Sequence, residues 1–176
     1  MEKLTREEVI AILEEAKQQG KRPDFSNMDL SRLDLSGLDF LRADLTGANF
    51  IASDLTNANC HSADLTGANC CFANFIDADF YFANFYCANL TGAKLYRAKC
   101  NFANFHLANL TDANFTDADF YCANFTEADL TGANLYRSNL KIASLAYAKC
   151  NFANFYLADL TGANFYLANL EDAKGI

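Results

Sequence analysis

The sequence contains no tryptophan and a single proline, Pro23, and only 8 of its 176 residues are glycine. Disordered and low-complexity chains are rich in proline and glycine, so this composition excludes that class. No apolar run approaches the roughly 18 to 20 residues that a membrane helix needs, and residues 1–6 do not form the apolar core of a signal peptide. We therefore expect one domain, no membrane partner and a cytoplasmic location.

Residues suited to catalysis or metal binding are also scarce. Histidine occurs only at His61 and His106, and none of the 7 cysteines forms a C-x-x-C pair. Zinc and redox motifs are therefore missing, and so are a glycine-rich phosphate loop and a nucleophile elbow. The sequence predicts no enzyme, no metal site and no cofactor, and its odd number of cysteines indicates free thiols in a reducing compartment.

What the sequence does have is a strict period of five residues. Every fifth position from Phe25 to Leu170 is leucine, phenylalanine or cysteine, and we call these positions centres. Two residues before each centre, from Ala43 to Ala168, stands alanine, except at Ser53 and Ser138. On an extended segment two residues that are two apart point the same way, so both are expected to face inward. The residue between them is expected to face outward, and the two residues after each centre are expected to form a corner.

A chain that turns every five residues cannot form an ordinary sheet, but it can coil continuously with each turn bonded to the next. The phrase Ala43-Asp-Leu-Thr-Gly47 and its successors resemble the pentapeptide-repeat family. The resemblance implies an all-β solenoid, namely a right-handed quadrilateral parallel β-helix with four pentapeptides per coil and about 7.5 coils. The resulting period of 20 also places Asp77, Arg97, Asp117 and Arg137 in one column of alternating charge, and it stacks Phe82 on Phe102.

An N-terminal α-helical cap is expected before the repeat. Thr5 and Glu8 form a capping-box pattern, and an apolar stripe follows at helical spacing. A helix is therefore expected from about Arg6 to Gln18, with Gly20 and Pro23 as stop signals. The bulky Met28, Leu33 and Leu38, which replace alanine in the first units, suit a helix packed on that end. The predicted organisation is a helix cap at 1–22, the β-helix at 23–174 and a tail at 175–176.

The formal net charge of -8 falls on the repeat, which disfavours direct binding to nucleic acid. Solubility is the simplest explanation of the acidic surface. Some pentapeptide-repeat proteins use such a surface to imitate DNA, so an inhibitor or protector of DNA gyrase is the alternative function. The acidic residues that would form this surface are Asp24, Asp29, Asp34, Asp39, Asp44, Asp54 and Asp64.

The function that we predict is a non-enzymatic scaffold or protein-interaction module whose partner the sequence does not name. Outward aromatic residues in the middle of the chain are the expected contact surface, because contiguous exposed apolar area marks protein contacts. Stacked rings that only shield the coil edges are the competing interpretation. An uncovered C-terminal coil would also allow an end-to-end homodimer. The predicted contact residues are Tyr81, Phe82, Tyr86, Tyr96, Phe102 and Tyr121.

Overall fold

The computed structural model describes residues 3–176, so Met1 and Glu2 of the predicted cap lie outside the described residues. Helix α1 spans Arg6–Gln19, one residue longer than the sequence predicts. Thr5 accepts a hydrogen bond from the amide of Glu8, and the Glu8 side chain accepts one from the amide of Thr5. Gly20 ends the helix in the left-handed conformation at φ 62°. The predicted capping box and stop signal are therefore confirmed.

Beyond α1 the chain forms stacked coils. The first β-bridge of the repeat pairs Asp24 with Asp44 and the last pairs Asn154 with Lys174, and every bridge between them is parallel and joins residues 20 apart. Bridges recur at every fifth position, which gives four columns around each coil. The centre amide of one coil donates to the next coil, as from Phe85 to the carbonyl of Asn104 at 2.6 Å. The four pentapeptides per coil that the resemblance implied are thus observed.

A tight turn follows every centre. The amide three residues after the centre donates back to the centre's carbonyl, as from Ala43 to Phe40 at 2.9 Å. The second residue after each centre from Phe25 to Leu170 has a φ between 53° and 71°. A β-turn with positive φ only at its third position is type II, which favours glycine there. Most of these positions hold other residues, including the β-branched Ile142 at φ 58°.

The core is a filled bore of alternating small and large side chains. The centres from Phe25 to Phe155 and the alanines that precede them are buried. Ser53 and Ser138, which replace alanine, donate their hydroxyl hydrogens to the carbonyls of Phe50 and Leu135. Buried hydroxyls that are bonded in this way cost little, so serine is tolerated inside the coil.

The four inner columns pack differently. One column stacks Phe85, Phe105 and Phe125 nearly parallel, with ring centroids 4.8 and 4.9 Å apart. The column before it alternates large and small, with Cys60 and Cys100 on either side of Phe80. Burial raises the pKa of the Cys60 and Cys100 thiols, which therefore act as small apolar side chains.

Helix α1 lies against the first coil. Val9 is fully buried within the core, and Met28, Leu33 and Leu38 pack against that core, as their size predicts. Arg6 donates to the carbonyls of Asp34 and Ser36, which lie in the first coil. The N-terminal coil is therefore covered by apolar packing and by bonds to its backbone.

Candidate interaction surface

The period of 20 sorts the turns onto four corners of the coil. Corner I carries the turns at 41–42, 61–62 and onward in steps of 20 to 161–162. Corner II carries those from 26–27 to 166–167, corner III those from 31–32 to 171–172, and corner IV those from 36–37 to 156–157. Side chains on one corner are neighbours along the rod, whereas side chains on different corners are separated by a face.

Four of the six predicted contact residues meet on corner I, and we call Tyr81, Phe82, Phe102 and Tyr121 the aromatic ridge. Phe82 stacks on Phe102 with centroids 5.0 Å apart, and Tyr81 contacts both rings at 4.6 and 5.5 Å. Tyr121 continues the ridge 5.6 Å from Phe102. His61 extends it at the other end by stacking on Tyr81 at 5.2 Å. Phe82 remains 52% exposed, so the ridge presents apolar surface to solvent.

The other two predicted residues lie elsewhere. Tyr86 is on corner II, where it stacks on His106 with centroids 5.6 Å apart. Tyr96 is on corner IV beneath the guanidinium of Arg97, which lies 4.7 Å from its ring centre. The six side chains therefore do not form one patch.

The seven predicted acidic residues are spread over all four columns of bridges. Each carboxylate accepts a hydrogen bond from the amide two residues later, as from Thr46 to Asp44 at 3.1 Å. Hydrogen bonds from the backbone and side chain of Ser26 lower the pKa of Asp24, and bonds from Ser31 do the same for Asp29. In later coils asparagine accepts the same bond. These aspartates therefore stabilise the turns through hydrogen bonds, whether or not their charges also have a role at the surface.

Arginine side chains also partly neutralise the acidic coils. Arg22 lies 3.5 Å from Asp44 and 3.9 Å from Asp64, and Arg6 lies 3.2 Å from Asp34. All these pairs are substantially exposed, so each contributes little to stability. Their effect is to interrupt the negative surface near α1.

The face between corners IV and I carries most of the charge in the middle and last coils, and we call it the charged face. It consists of residues 77–81, 97–101, 117–121, 137–141 and 157–161, which include five acidic and four basic side chains. Arg97 Nε donates to Asp77 Oδ1 at 2.7 Å, and Arg137 Nε lies 2.9 Å from Asp117 Oδ1. The predicted column of alternating charge thus exists as two separate ion pairs.

The adjoining face, between corners I and II, has no charged residue over five coils, and we call it the neutral face. It consists of residues 82–86, 102–106, 122–126, 142–146 and 162–166. Eight of the fourteen large apolar side chains that are exposed lie on this face or its edges. These eight are Phe82, Tyr86, Phe102, Leu107, Ile142, Tyr147, Tyr166 and Leu167.

A ladder of side-chain amides forms the floor of the neutral face. Asn124 Nδ2 donates to Asn104 Oδ1 at 3.1 Å, and Asn104 Nδ2 donates to Asn84 Oδ1 at 2.9 Å. This face was not predicted from the sequence, although grouping the outward residues by their position within the 20-residue coil would reveal it.

Groups for metal binding or catalysis do not converge within residues 3–176. No group of three or more histidine, cysteine, aspartate or glutamate side chains is arranged to hold a metal ion there. His61 and His106 lie on different corners, and all seven cysteines are unpaired. Among the depressions in the described surface are shallow hollows on the faces and a groove beside α1. In the same residues, the helix is too short and too polar to cross a membrane.

The repeat and its geometry define a class of protein. The family model for pentapeptide repeats matches residues 24–59, 53–86, 73–112, 108–145 and 138–174, so the chain belongs to the pentapeptide-repeat family. A search of curated proteins finds no match.

Solved structures to which the chain is similar come from varied sources. The chain is 30% identical to HetL, a protein involved in the regulation of heterocyst differentiation in the cyanobacterium Nostoc, over 86% of this chain and 76% of HetL (TM-score 0.49). It is 25% identical to Rfr23 of the cyanobacterium Cyanothece over 56% of this chain and 64% of Rfr23 (TM-score 0.50). It is 17% identical to QnrB1, a plasmid-mediated fluoroquinolone resistance protein, over 98% and 79% of the two chains (TM-score 0.57). At that identity the likeness to QnrB1 supports the fold alone.

Proposed function

We propose that this protein is a non-enzymatic scaffold that binds a partner protein through the aromatic ridge on corner I. The observation that carries the proposal is the continuous contact of Tyr81, Phe82, Phe102 and Tyr121, which keeps exposed rings in a fixed arrangement. Aromatic side chains that are already packed lose little conformational entropy on binding, so they make good anchors at interfaces.

Affinity capture from cells of the source organism tests this proposal. We expect the parent protein to retain a partner that the Phe82→Ser/Phe102→Ser variant loses. Phe72→Ser is the matched control, because Phe72 is 65% exposed but lies on corner III. Circular dichroism establishes that each variant is folded. Equal retention by all three proteins would contradict the role of the ridge.

Inhibition or protection of DNA gyrase by imitation of DNA is the competing function. The acidic residues of the first coils prompt the test, but these aspartates bond to their own turns and are partly paired with Arg6 and Arg22. We therefore expect no change in gyrase supercoiling at micromolar protein. Inhibition that disappears in an Asp44→Asn/Asp64→Asn variant would favour the DNA mimic instead.

We also propose an end-to-end homodimer through the C-terminal coil. The centres Leu160, Phe165 and Leu170 are only partly buried, whereas the centres of earlier coils are fully buried. A second copy that stacked on this coil would cover them and would offer partners to its backbone groups. Sedimentation equilibrium is the test, and a monomer mass at high micromolar concentration would overturn this part of the proposal.

The handedness of the fold, the domain bounds and the cellular location are also proposals, which rest on the family resemblance and on the composition. We infer a right-handed β-helix over 23–174, with the cap at 1–22 and the tail at 175–176, because parallel bridges between positions four pentapeptides apart suit that fold. Seven unpaired thiols suit a reducing compartment, so we propose a cytoplasmic location.

A further inference from the structure

We propose that the charged face is the interface of an antiparallel homodimer, in which two rods lie side by side with opposite charges in contact. The partner at this face is therefore a second copy of the chain. The inference goes beyond the proposed function, because it uses neither the exposed rings of Phe82 and Phe102 nor the uncovered end of the last coil.

The charges on this face alternate in sign from coil to coil. Segments 77–81 and 117–121 each carry two acidic residues and no basic one, whereas 97–101 and 137–141 each carry two basic residues and no acidic one. We call these four segments the charge bands, and the segment after them, 157–161, carries one acidic residue. The charged residues of the four bands are, in order, Asp77 and Asp79, Arg97 and Lys99, Asp117 and Asp119, and Arg137 and Lys141.

A second copy of the chain matches the spacing of the charge bands. Adjacent strands lie about 4.8 Å apart, so bands of like sign recur about every 9.6 Å. An extended strand brings side chains to one face about every 6.8 Å, and an α-helix advances about 5.4 Å per turn, so both drift out of register along the four bands. Two rods keep the same spacing throughout. The five acidic and four basic side chains nearly balance, so two such faces do not repel each other as a whole.

The signs of the bands also determine how the two rods are oriented. A twofold axis parallel to the rods would set every band against itself, with Lys99 against Lys99 and Asp119 against Asp119. A twofold axis across the rods, between segments 97–101 and 117–121, instead sets the first band against the fourth and the second against the third. All four contacts then join opposite charges. The interface is isologous, so it closes as a dimer.

The charged side chains on corner IV would join into rings. In the antiparallel dimer Arg97 faces Asp117 of the second copy, and Asp77 faces Arg137 of the second copy. Within one chain Arg97 Nε donates to Asp77 Oδ1 at 2.7 Å, and Arg137 Nε lies 2.9 Å from Asp117 Oδ1. The contacts within and between chains therefore close two rings of four alternating charges. The two arginine side chains are 53% and 58% exposed, so they remain accessible to the second copy. Charge networks contribute more than isolated exposed pairs.

Lys99 supports the same register. It is exposed and has no side-chain hydrogen bond or ion pair within residues 3–176, and in the dimer it faces Asp119 of the second copy. Asp79 faces the amide of Asn139, and Lys141 faces a tyrosine, so no like charges meet across the four bands.

Sedimentation equilibrium of the whole chain and of charge-reversal variants tests the proposal. At 50 mM NaCl we expect the parent to dimerise, with a dissociation constant that rises at least tenfold in 1 M NaCl, where charges are screened beyond about 3 Å. Arg97→Asp and Asp117→Arg each set like charges against each other, so each variant alone should self-associate at least tenfold more weakly than the parent. An equimolar mixture of the two should regain the affinity of the parent, because each copy then faces its opposite charge.

Arg32→Asp and Asp112→Arg are the matched controls, since they make the same changes of charge at exposed turn positions on corner III. Each control alone, and the two mixed, should dimerise as the parent does. Aspartate and arginine both already occupy the substituted turn position on corner IV, with φ between 54° and 58°, so the variants should fold. Circular dichroism checks this.

The outcomes separate this dimer from the end-to-end dimer. A parent protein that stays monomeric at 50 mM NaCl would overturn the inference, and so would a mixture that associates no better than Arg97→Asp alone. A dimer that persists unchanged in 1 M NaCl and in both single variants would be the end-to-end dimer, and the charged face would then not be an interface. Capture of a different protein through Phe82 and Phe102 is tested separately and does not depend on these results.

Discussion

The charged face and the neutral face share one backbone but differ in almost everything that they present to solvent. Both consist of five-residue segments with an inward alanine or serine, an outward residue and an inward centre, and they meet at corner I. Between 77 and 161 the first carries nine charged side chains, whereas the second carries none between 82 and 166. The fold therefore restricts the inward positions and leaves the outward ones free, and only the outward ones can distinguish a binding surface.

The difference continues into the core beneath each face. Phe85, Phe105 and Phe125 stack behind the neutral face, whereas Phe80, Cys100 and Phe120 alternate behind the charged face. Outward asparagines are bonded from coil to coil on the neutral face, whereas arginine and aspartate form separate pairs on the charged face. Substitutions at matched positions of one coil can therefore separate the two faces.

The largest difference in stability is expected between substitutions at Phe105 and Cys100, which are the centres behind the two faces in one coil. Phe105→Ala removes the middle ring of the stack and should lower the free energy of unfolding by about 3 to 5 kcal/mol. Cys100→Ala removes a single sulfur atom at the equivalent position behind the charged face, so we expect a loss of only about 1 kcal/mol. Urea denaturation followed by circular dichroism measures both. Equal losses would mean that the stacked rings contribute no more than the alternating column.

The outward residues of the same coil provide the second comparison. Asn104→Ala deprives the amide of His106 and two neighbouring asparagines of partners, so we expect a loss of about 1 to 2 kcal/mol. Lys99 holds the equivalent position on the charged face, is exposed, and has no side-chain hydrogen bond or ion pair within residues 3–176. Lys99→Ala should therefore change the free energy of unfolding by less than about 0.5 kcal/mol. A loss for Lys99→Ala as large as that for Asn104→Ala would contradict the structural role of the amide ladder.

Because the sequence repeats every five residues, the inward-facing residues of both faces could be predicted from it. Alanine and the bulky centres occupy fixed positions, and Thr5, Glu8 and Gly20 bound helix α1 by local rules, so the core and the helix follow from short-range pattern. The number of pentapeptides per coil came from the family resemblance. It could be checked through charge and stacking columns such as Asp77 with Arg97.

The surface clusters were harder to predict, because which outward residues are neighbours depends on their positions around the coil and not on their nearness in sequence. Tyr96 stands three pentapeptides after Tyr81 and therefore lies three quarters of a coil away, so grouping aromatics by nearness in sequence was misleading. The aspartates suggested a surface for a partner, but their carboxylates are hydrogen-bonded in the turns, which composition does not reveal. The left-handed conformation of residues such as Ile142 was also unexpected, since glycine occupies few of those positions.

A third, smaller effect on stability is expected at corner I, which the two faces share. Ile142 lies on corner I with a φ of 58°, a conformation that is unfavourable for a β-branched side chain. Ile142→Asn should raise the free energy of unfolding by about 0.5 to 1 kcal/mol, because asparagine tolerates this conformation and Asn57 already adopts it. Ile142→Val keeps the branch and should bring no gain. An unchanged or lower denaturation midpoint for Ile142→Asn would mean that packing of Ile142 on the neutral face outweighs the strain.

The smallest effect distinguishes the faces by their response to acid. The hydrogen bond and charge of Arg97 lower the pKa of Asp77, and bonds from Thr161 and Lys141 lower the pKa of Asp159 to about 2. A carboxyl with a lowered pKa in the folded state stabilises the protein above its ordinary pKa, near 3.8, and loses that contribution as the pH falls toward 2. Because these groups are exposed and screened, the effect is small.

Asp77→Asn/Asp159→Asn should therefore flatten the fall in the urea midpoint between pH 4 and pH 2. Glu7→Gln, which removes one exposed carboxyl from α1 and leaves both faces intact, is the matched control and should follow the parent. The neutral face contains no carboxylate, so amides in its middle coils should keep the same relative protection in hydrogen exchange over this range. Parallel acid profiles for the parent and the double variant would show that the ion pairs of the charged face do not contribute to stability at neutral pH. The charges on that face would then matter only for the choice of partner.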